Sequence, residues 1–238
     1  NQHLPQGVTL SGGLAGDGTD FNETVVGLNE TPQPGRIVAI GLYGDSLSIQ
    51  FGSSGGWSTF GPERIVTKSD GNVLYELDGK PALELYKTYL GEEAEHLPAA
   101  ALRFPLCVNP RDNQPPVVRT ILTIDEAEGS MTFAGDIQPD ASVHFMRASY
   151  EDLIEGAQTA AREAEDKEAD LVICVSCVGR RIVLGQRTEE ELECVRDVFG
   201  SKPTIAGFYS YGELAPTSGE KHCQLHNQTM TLTSIRER

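Results

Sequence analysis

Apolar and polar positions alternate through the first half of the chain in a pattern that predicts strands. Arg36–Tyr43 is apolar and β-branched and predicts a strand closed by a turn at Gly44-Asp45. Ser46–Phe51 alternates and predicts another. Glu63–Lys68 and Asn72–Leu77 flank Asp70-Gly71, a hairpin signal because such loops need positive φ. Residues 52–61 hold four glycines and the only tryptophan, Trp57; a loop of that composition either covers a pocket or staples a sheet edge. Pro81–Leu90 predicts a helix, with Pro81 in its first turn, Leu85 and Tyr89 four apart, and Gly91 as C-cap. Asp78, just ahead, caps that helix or fixes a turn. Residues 91–98 and 109–116 read as polar or proline-bearing connections. Ala101–Cys107, Val117–Ile124, Met131–Phe133 and Ala141–Arg147 read as strands, with turns at Glu128-Gly129 and around Pro139-Asp140.

From Ser149 the period changes. Ser149 and Asp152 form a capping-box pattern, and Leu153, Ala157, Ala160, Ala161 and Ala164 make one apolar stripe opposite Glu151, Asp152, Glu155, Glu163 and Glu165. Asp170–Val178 is a mostly apolar run, the mark of a buried central strand. Thr188-x-x-Glu191 reads as a second capping box, before a helix with core face Leu192, Val195, Val198 and Phe199 and an end at Gly200. Pro203–Tyr211 and Gln228–Ile235 read as the last strands. Strand-rich first half and alternating second half together predict an α+β or mixed α/β fold, β-rich sheets covered by a few helices.

The chain has 238 residues, with 19 Lys+Arg against 35 Asp+Glu and a net charge of -16. That surface opposes nucleic acid and anionic membrane, which both need basic residues to displace counterions. No window is apolar enough for a transmembrane helix. The opening Asn1-Gln2-His3, with no initiating methionine and no signal pattern, is expected of a fragment, a processed product or a chain lacking its disordered start. Five cysteines, an odd number in a long chain, favour reduced thiols and a cytoplasmic protein. Cys174 and Cys177 form a CxxC, but in a strand residues three apart leave opposite faces, so they read as core thiols, reduced and free of metal. Residues 11–18 are glycine-dense without P-loop or GxGxxG spacing and read as a tight reversal needing positive φ.

Five strings occur in order: Gly12-Gly13-Leu14-Ala15-Gly16-Asp17-Gly18; Leu77-Asp78-Gly79-Lys80-Pro81-Ala82-Leu83-Glu84-Leu85-Tyr86; Cys177-Val178-Gly179-Arg180; Gly207-Phe208-Tyr209-Ser210-Tyr211-Gly212-Glu213; and His226-Asn227-Gln228-Thr229. Their succession resembles the FIST sensory module of bacterial signalling proteins and of one class of F-box proteins, over nearly the whole chain. The resemblance implies that residues 1–90 are the C-terminal part of the family's N-terminal domain, entered partway through, and that residues 91–238 are its C-terminal domain. It implies a ligand-sensing role, with a small molecule such as an amino acid as ligand. It also implies a separate signalling partner such as a histidine kinase, chemoreceptor or cyclic-dinucleotide enzyme. Two alternatives come with it: a haem-binding nitric-oxide sensor, with His226 as the haem residue, and a protein-docking module. No other cofactor and no metal is expected.

Candidate chemistry points the same way. Glu213 and His226 as acid and base with Cys177 as nucleophile make no known constellation, because the apolar strand around Cys177 disfavours its thiolate. His222 and His226 are four apart, but on a strand they lie roughly 13 Å apart, too far for one metal ion. No catalytic residue is expected. Tyr209, Tyr211 and Glu213 share one strand parity and present two rings and a carboxylate, a set that holds an amine. Asn227 and Gln228 add amide donors and acceptors, and Arg180 at the edge can clamp a carboxylate. The competing reading makes Tyr209 and Tyr211 plain strand packing and Arg180 and Glu213 an internal ion pair.

Overall fold

The structure, a computed structural model, describes residues 4–5, 7–18, 20, 22–111, 115–216 and 222–238, so part of the 109–116 connection lies outside the described residues. In chain order the elements are β1 (Gly12–Gly13), β2 (Leu47–Ser54), β3 (Ser58–Asp70), β4 (Val73–Leu77), β5 (Lys80–Pro81) and α1 (Ala82–Leu90). Two 3-10 turns, Gly91–His96 and Ala99–Arg103, lead to β6 (Leu106–Asn109), β7 (Val117–Arg119), β8 (Ile121–Asp125), β9 (Ser130–Phe133) and β10 (Ser142–Arg147). Then follow α2 (Tyr150–Glu163), β11 (Leu171–Cys177), α3 (Val178–Leu184), a 3-10 turn Gly185–Arg187, α4 (Thr188–Phe199), β12 (Thr204–Ser210), β13 (Glu213–Pro216), β14 (Cys223–His226) and β15 (Met230–Glu237). The fold is α+β. It divides into two compact units interleaved in sequence: Asn1–Gly55, Ile154–Leu225 and Thr229–Arg238 form the first, Gly56–Leu153 and His226–Gln228 the second.

The second unit is a curled sheet in the order β7-β6-β10-β3-β4-β9-β8, with β5 paired to β4. Its two edge strands, β7 and β8, are consecutive in the chain. The predicted single strand Val117–Ile124 is thus broken at Thr120, whose carbonyl accepts the Ala134 amide at 2.9 Å. The Asp70-Gly71 hairpin forms, with Asp70 opposite Val73 and Gly71 at φ 53°. Asp78 fixes a turn: Asp78 and Gly79 sit at φ 50° and 73°, and the Asp78 carboxylate accepts the Ile65 amide at 2.9 Å and Arg64 at 3.0 Å. Leu83, Tyr86 and Leu90 of α1 are buried with Leu74, Leu106, Met131, Phe133 and Phe145 in the core. The predicted strand Ala101–Cys107 is instead a 3-10 turn followed by β6. The alanines at 99–101 favour a helical turn, and Pro105 lacks the amide a ladder needs, which delays the strand to Leu106.

The first unit carries the sheet β12-β11-β15-β2, in which β11 and β12 are parallel and β15 is antiparallel to both its neighbours. The β11–β12 crossover is helical, through α3 and α4; α3, which lies before the predicted helix, has no counterpart in the pattern of apolar residues. Ala157, Ala160, Ala161 and Ala164 of the α2 stripe are fully buried, and Gly52 of β2 gives the helix room: a Cβ there would lie 1.9 Å from the Ala160 carbonyl oxygen. A smaller sheet runs β1-β13-β14. The glycine-rich stretch is therefore more than a reversal: Gly12 and Gly13 pair with Leu214 and Glu213. The predicted strand Arg36–Tyr43 belongs to no ladder among the described residues, and Ile37 and Tyr43 are 95% and 89% exposed. β-propensity describes fit to a paired, half-buried surface, and this run has none.

Candidate functional site

The first unit buries charge on the line between β11, α3, α4 and β12. Arg180, in the first turn of α3, and Glu191, on α4, are each fully buried and pair at 3.2 Å. The Arg180 guanidinium also donates to the Gly55 carbonyl at 2.7 Å, and Ser176 and Tyr209 hydroxyls donate to Glu191 at 3.1 and 2.9 Å. Glu191 is thus no capping residue, as Thr188-x-x-Glu191 suggested. The Thr188 hydroxyl donates back to the Gly185 carbonyl, and the Glu191 side chain is spent inside. The stripe that faces the core is Glu191, Cys194, Val195 and Phe199, while Leu192 is 41% exposed. A carboxylate on the apolar side at i, i+4 and i+8 spacing with Val195 and Phe199 is the signal that marks Glu191.

Glu213 lies on β13, beyond the bend at Tyr211-Gly212 that ends β12, so Tyr209, Tyr211 and Glu213 are not on one strand and have separate partners. Ser210 donates to one Glu213 oxygen at 2.6 Å; Thr229 donates to the other through its hydroxyl at 2.9 Å and its amide at 3.3 Å. Burial pushes this carboxyl up to about 7 against the pull of those donors and of Arg180. The internal ion pair of Arg180 is with Glu191, not with Glu213. The Tyr209 ring carries Arg181 at 5.2 Å, and burial raises its hydroxyl pKa, as does the neighbouring Glu191. The Tyr211 hydroxyl donates to the Asp17 carboxylate and accepts the Asp17 amide at 3.2 Å. Asp17 also accepts the amides of Asn22 and Glu23 at 2.8 and 2.9 Å, and these bonds, Tyr211 foremost, hold it down to about 2. Gly13 and Gly16 make this strap possible: a Cβ on Gly13 would lie 2.8 Å from Ser210 and Val175, and one on Gly16 3.0 Å from the Tyr211 ring.

In the second unit, His226, Asn227 and Gln228 are all buried. Gln228 sits at φ 60°, a costly conformation for a side-chain-bearing residue. Its carbonyl accepts the Trp57 indole at 2.8 Å and its side-chain amide donates to the Leu102 carbonyl at 3.0 Å. The Asn227 amide donates to the His226 carbonyl at 2.9 Å. The two side-chain carbonyls, Asn227 Oδ1 and Gln228 Oε1, are buried and have no hydrogen-bond partner among the described residues. A surface depression of about 200 Å3 lined by Lys68, Tyr75, Glu76, Pro81, Ala127 and Glu128 contains none of the candidate residues.

Cys174 and Cys177 share β11, and all five cysteines are unbridged. Burial pushes the Cys174 thiol up to about 12 and that of Cys194 to about 11. Among the described residues no cluster of three or more His, Cys, Asp or Glu side chains could hold a metal ion, and no helix is long and apolar enough to cross a membrane.

Buried hydrogen-bonded polar clusters on a glycine-strapped α+β frame define a domain built to hold polar groups out of water. Residues 1–80 match the FIST N domain and residues 82–216 the FIST C domain. The chain belongs to the FIST family, whose domains are sensory modules of signal transduction. An uncharacterised protein of Mycobacterium tuberculosis is 27% identical over 244 residues, 98% of this chain and 62% of its own. One from Mycobacterium bovis is 24% identical over 246 residues, covering 98% and 61%, and one from Methanocaldococcus jannaschii 24% over 235 residues, covering 87% and 45%. The chain thus spans 62% or less of the length of these relatives. No solved structure matches it.

Proposed function

We propose that the chain is a non-enzymatic cytoplasmic sensory domain that binds a small amine-bearing metabolite, an amino acid being the simplest, and regulates a separate signalling protein. The observation that supports this reading is the pair of unpartnered buried carbonyls, Asn227 Oδ1 and Gln228 Oε1. Leaving a buried acceptor unmade costs about 1–3 kcal/mol, which a ligand with N–H donors recovers on binding. An ammonium or amide offers two or more donors, and the strained backbone at Gln228 holds one acceptor rigidly in place. In this reading Arg180, Tyr209, Tyr211 and Glu213 form the ordered polar frame of the first unit. A haem fits this donor set less well: His226 is followed by two buried amides, not by the apolar residues that wall a macrocycle.

The test is a melting screen of the protein against amines, amino acids and their deaminated analogues. An amine is expected to raise Tm, its deaminated analogue is not, and Asn227→Leu and Gln228→Leu are expected to abolish the shift. Absence of a shift with every amine would sink the reading. Protein made with haem supply and showing a Soret band lost in His226→Ala would replace it with gas sensing. A stable protein complex with no metabolite response would replace it with docking.

A further inference from the structure

Among the described residues the first unit buries two carboxylates, Glu191 and Glu213, and one guanidinium, Arg180, each fully excluded from solvent. Arg180 gives two of its nitrogens to Glu191 and a third to Gly55, while Glu213 is held by two hydroxyls and an amide and pairs with no cation among the described residues. Three fully charged groups would leave one net negative charge in a dry interior; a proton on Glu213 removes it. Arg180 is the cation whose field reaches Glu213. β1 and β2, packed against β13, carry no ionisable side chain. β11 carries Cys174 and Cys177, and β15 carries Arg236 and Glu237 only at the end far from Thr229. β14, paired with β13, carries Cys223 and His226.

Glu213 is also the residue on which the strap rests. Gly13 is its partner in the β1–β13 ladder, and Gly13 lies against Ser210, the hydroxyl that holds Glu213. The strap continues through Leu14, bonded to the Gly212 carbonyl and the Tyr211 amide, to Asp17 on the Tyr211 hydroxyl. A carboxylate that loses its proton here needs water. With Gly13 packed on Ser210 and Val175, water reaches it from that side only where the strap lifts.

We propose that Glu213 is a proton switch for this strap: the protonated carboxyl keeps Gly12–Gly18 docked, and loss of the proton to solvent releases it. The geometry needs no ligand, so this inference stands or falls separately from the ligand reading. Burial that pushes the Glu213 carboxyl up to about 7 places the change in the neutral range. Release uncovers Ser210, Val175 and the Tyr211 ring, a pH-gated change of surface in a signalling domain.

Amide hydrogen exchange of the intact chain, corrected for the intrinsic pH dependence of exchange, tests it. In the wild type, the Leu14 and Tyr211 amides are expected to exchange at least about tenfold faster at about pH 8.5 than at about pH 5.5, while Val172–Val175 of β11 stay protected. In Glu213→Gln, a neutral mimic, the strap is expected to stay protected at both. An equal increase in Glu213→Gln, or none in the wild type, would overturn the proposal. Carboxyl-carbon NMR of the wild type is independent of how the variant folds: a Glu213 midpoint near 7 supports the proposal, and one below about 5 overturns it.

Discussion

Single residues in this protein are set by what burial does to charge. Glu213 titrates high because desolvation outweighs the pull of Ser210, Thr229 and Arg180. A carboxyl whose folded pKa lies above its unfolded one stabilises the fold fully below the unfolded value, and the stabilisation fades as pH rises through the folded one. Between 4.5 and about 7 the wild type is therefore expected to lose stability, by on the order of 3 kcal/mol, and Glu213→Gln to lose much less across that window. Asp17, Asp78, Asp152 and Glu168 are lowered and act the other way: their contributions are present above the ordinary carboxylate range and lost below it. Urea unfolding from about pH 2 to 8 reads both limbs, and a wild-type curve that rises from about pH 5 to 7 would contradict the Glu213 assignment. Glu191 is a separate case. Glu191→Ala strands the Arg180 charge in the interior and is expected to cost about 3–5 kcal/mol. Glu191→Gln keeps acceptors for Ser176 and Tyr209 and should cost less. Equal losses for the two would show that the acceptors contribute nothing and that the cost lies in removing the charge.

Elements meet where a side chain has been omitted. Gly52 lets the α2 backbone lie on β2, and Gly52→Ala would put a methyl 1.9 Å from the Ala160 oxygen, so the helix must move. Overpacking of this kind costs about 1–3 kcal/mol, which thermal or urea unfolding would register; an unchanged midpoint would mean α2 yields freely. These close approaches also mark what the sequence could and could not reveal. The α2 stripe, the Ser149–Asp152 box, the apolar β11 and the Asp70-Gly71 hairpin were legible because each is a local pattern. Arg36–Tyr43, Val117–Ile124 and Ala101–Cys107 were misread because strand propensity carries no information about partners. Arg180, Tyr209 and Glu213 were visible as polar residues in odd places, but their partners were not. Glu191 looked like a cap because its spacing from Thr188 was right, and only the fold shows its side chain turned to Arg180. The bend at Tyr211-Gly212 likewise breaks a parity that the sequence alone cannot interrupt.

At the scale of the whole molecule the excess of 35 acidic over 19 basic residues is the dominant electrostatic fact. Two effects of salt compete. The exposed pairs Lys87–Glu126, Arg187–Glu190 and Lys202–Glu168, at 2.5 to 2.9 Å, are weakened by screening, but each such pair is worth only about 0–1 kcal/mol. The repulsion among the surplus carboxylates acts over much longer distances. The Debye length falls from about 30 Å at 0.01 M salt to about 8 Å at 0.15 M, so long-range repulsion is screened while contacts within about 3 Å survive. Repulsion therefore loses more than attraction does, and added salt is expected to stabilise the fold. Tm measured at pH 7 should rise by a few degrees between these two salt concentrations, and sodium chloride and potassium chloride should act alike, since the effect is screening and not ion binding. A Tm that falls with salt would show that the short pairs outweigh the surplus, and a rise specific to one cation would point to a bound ion instead.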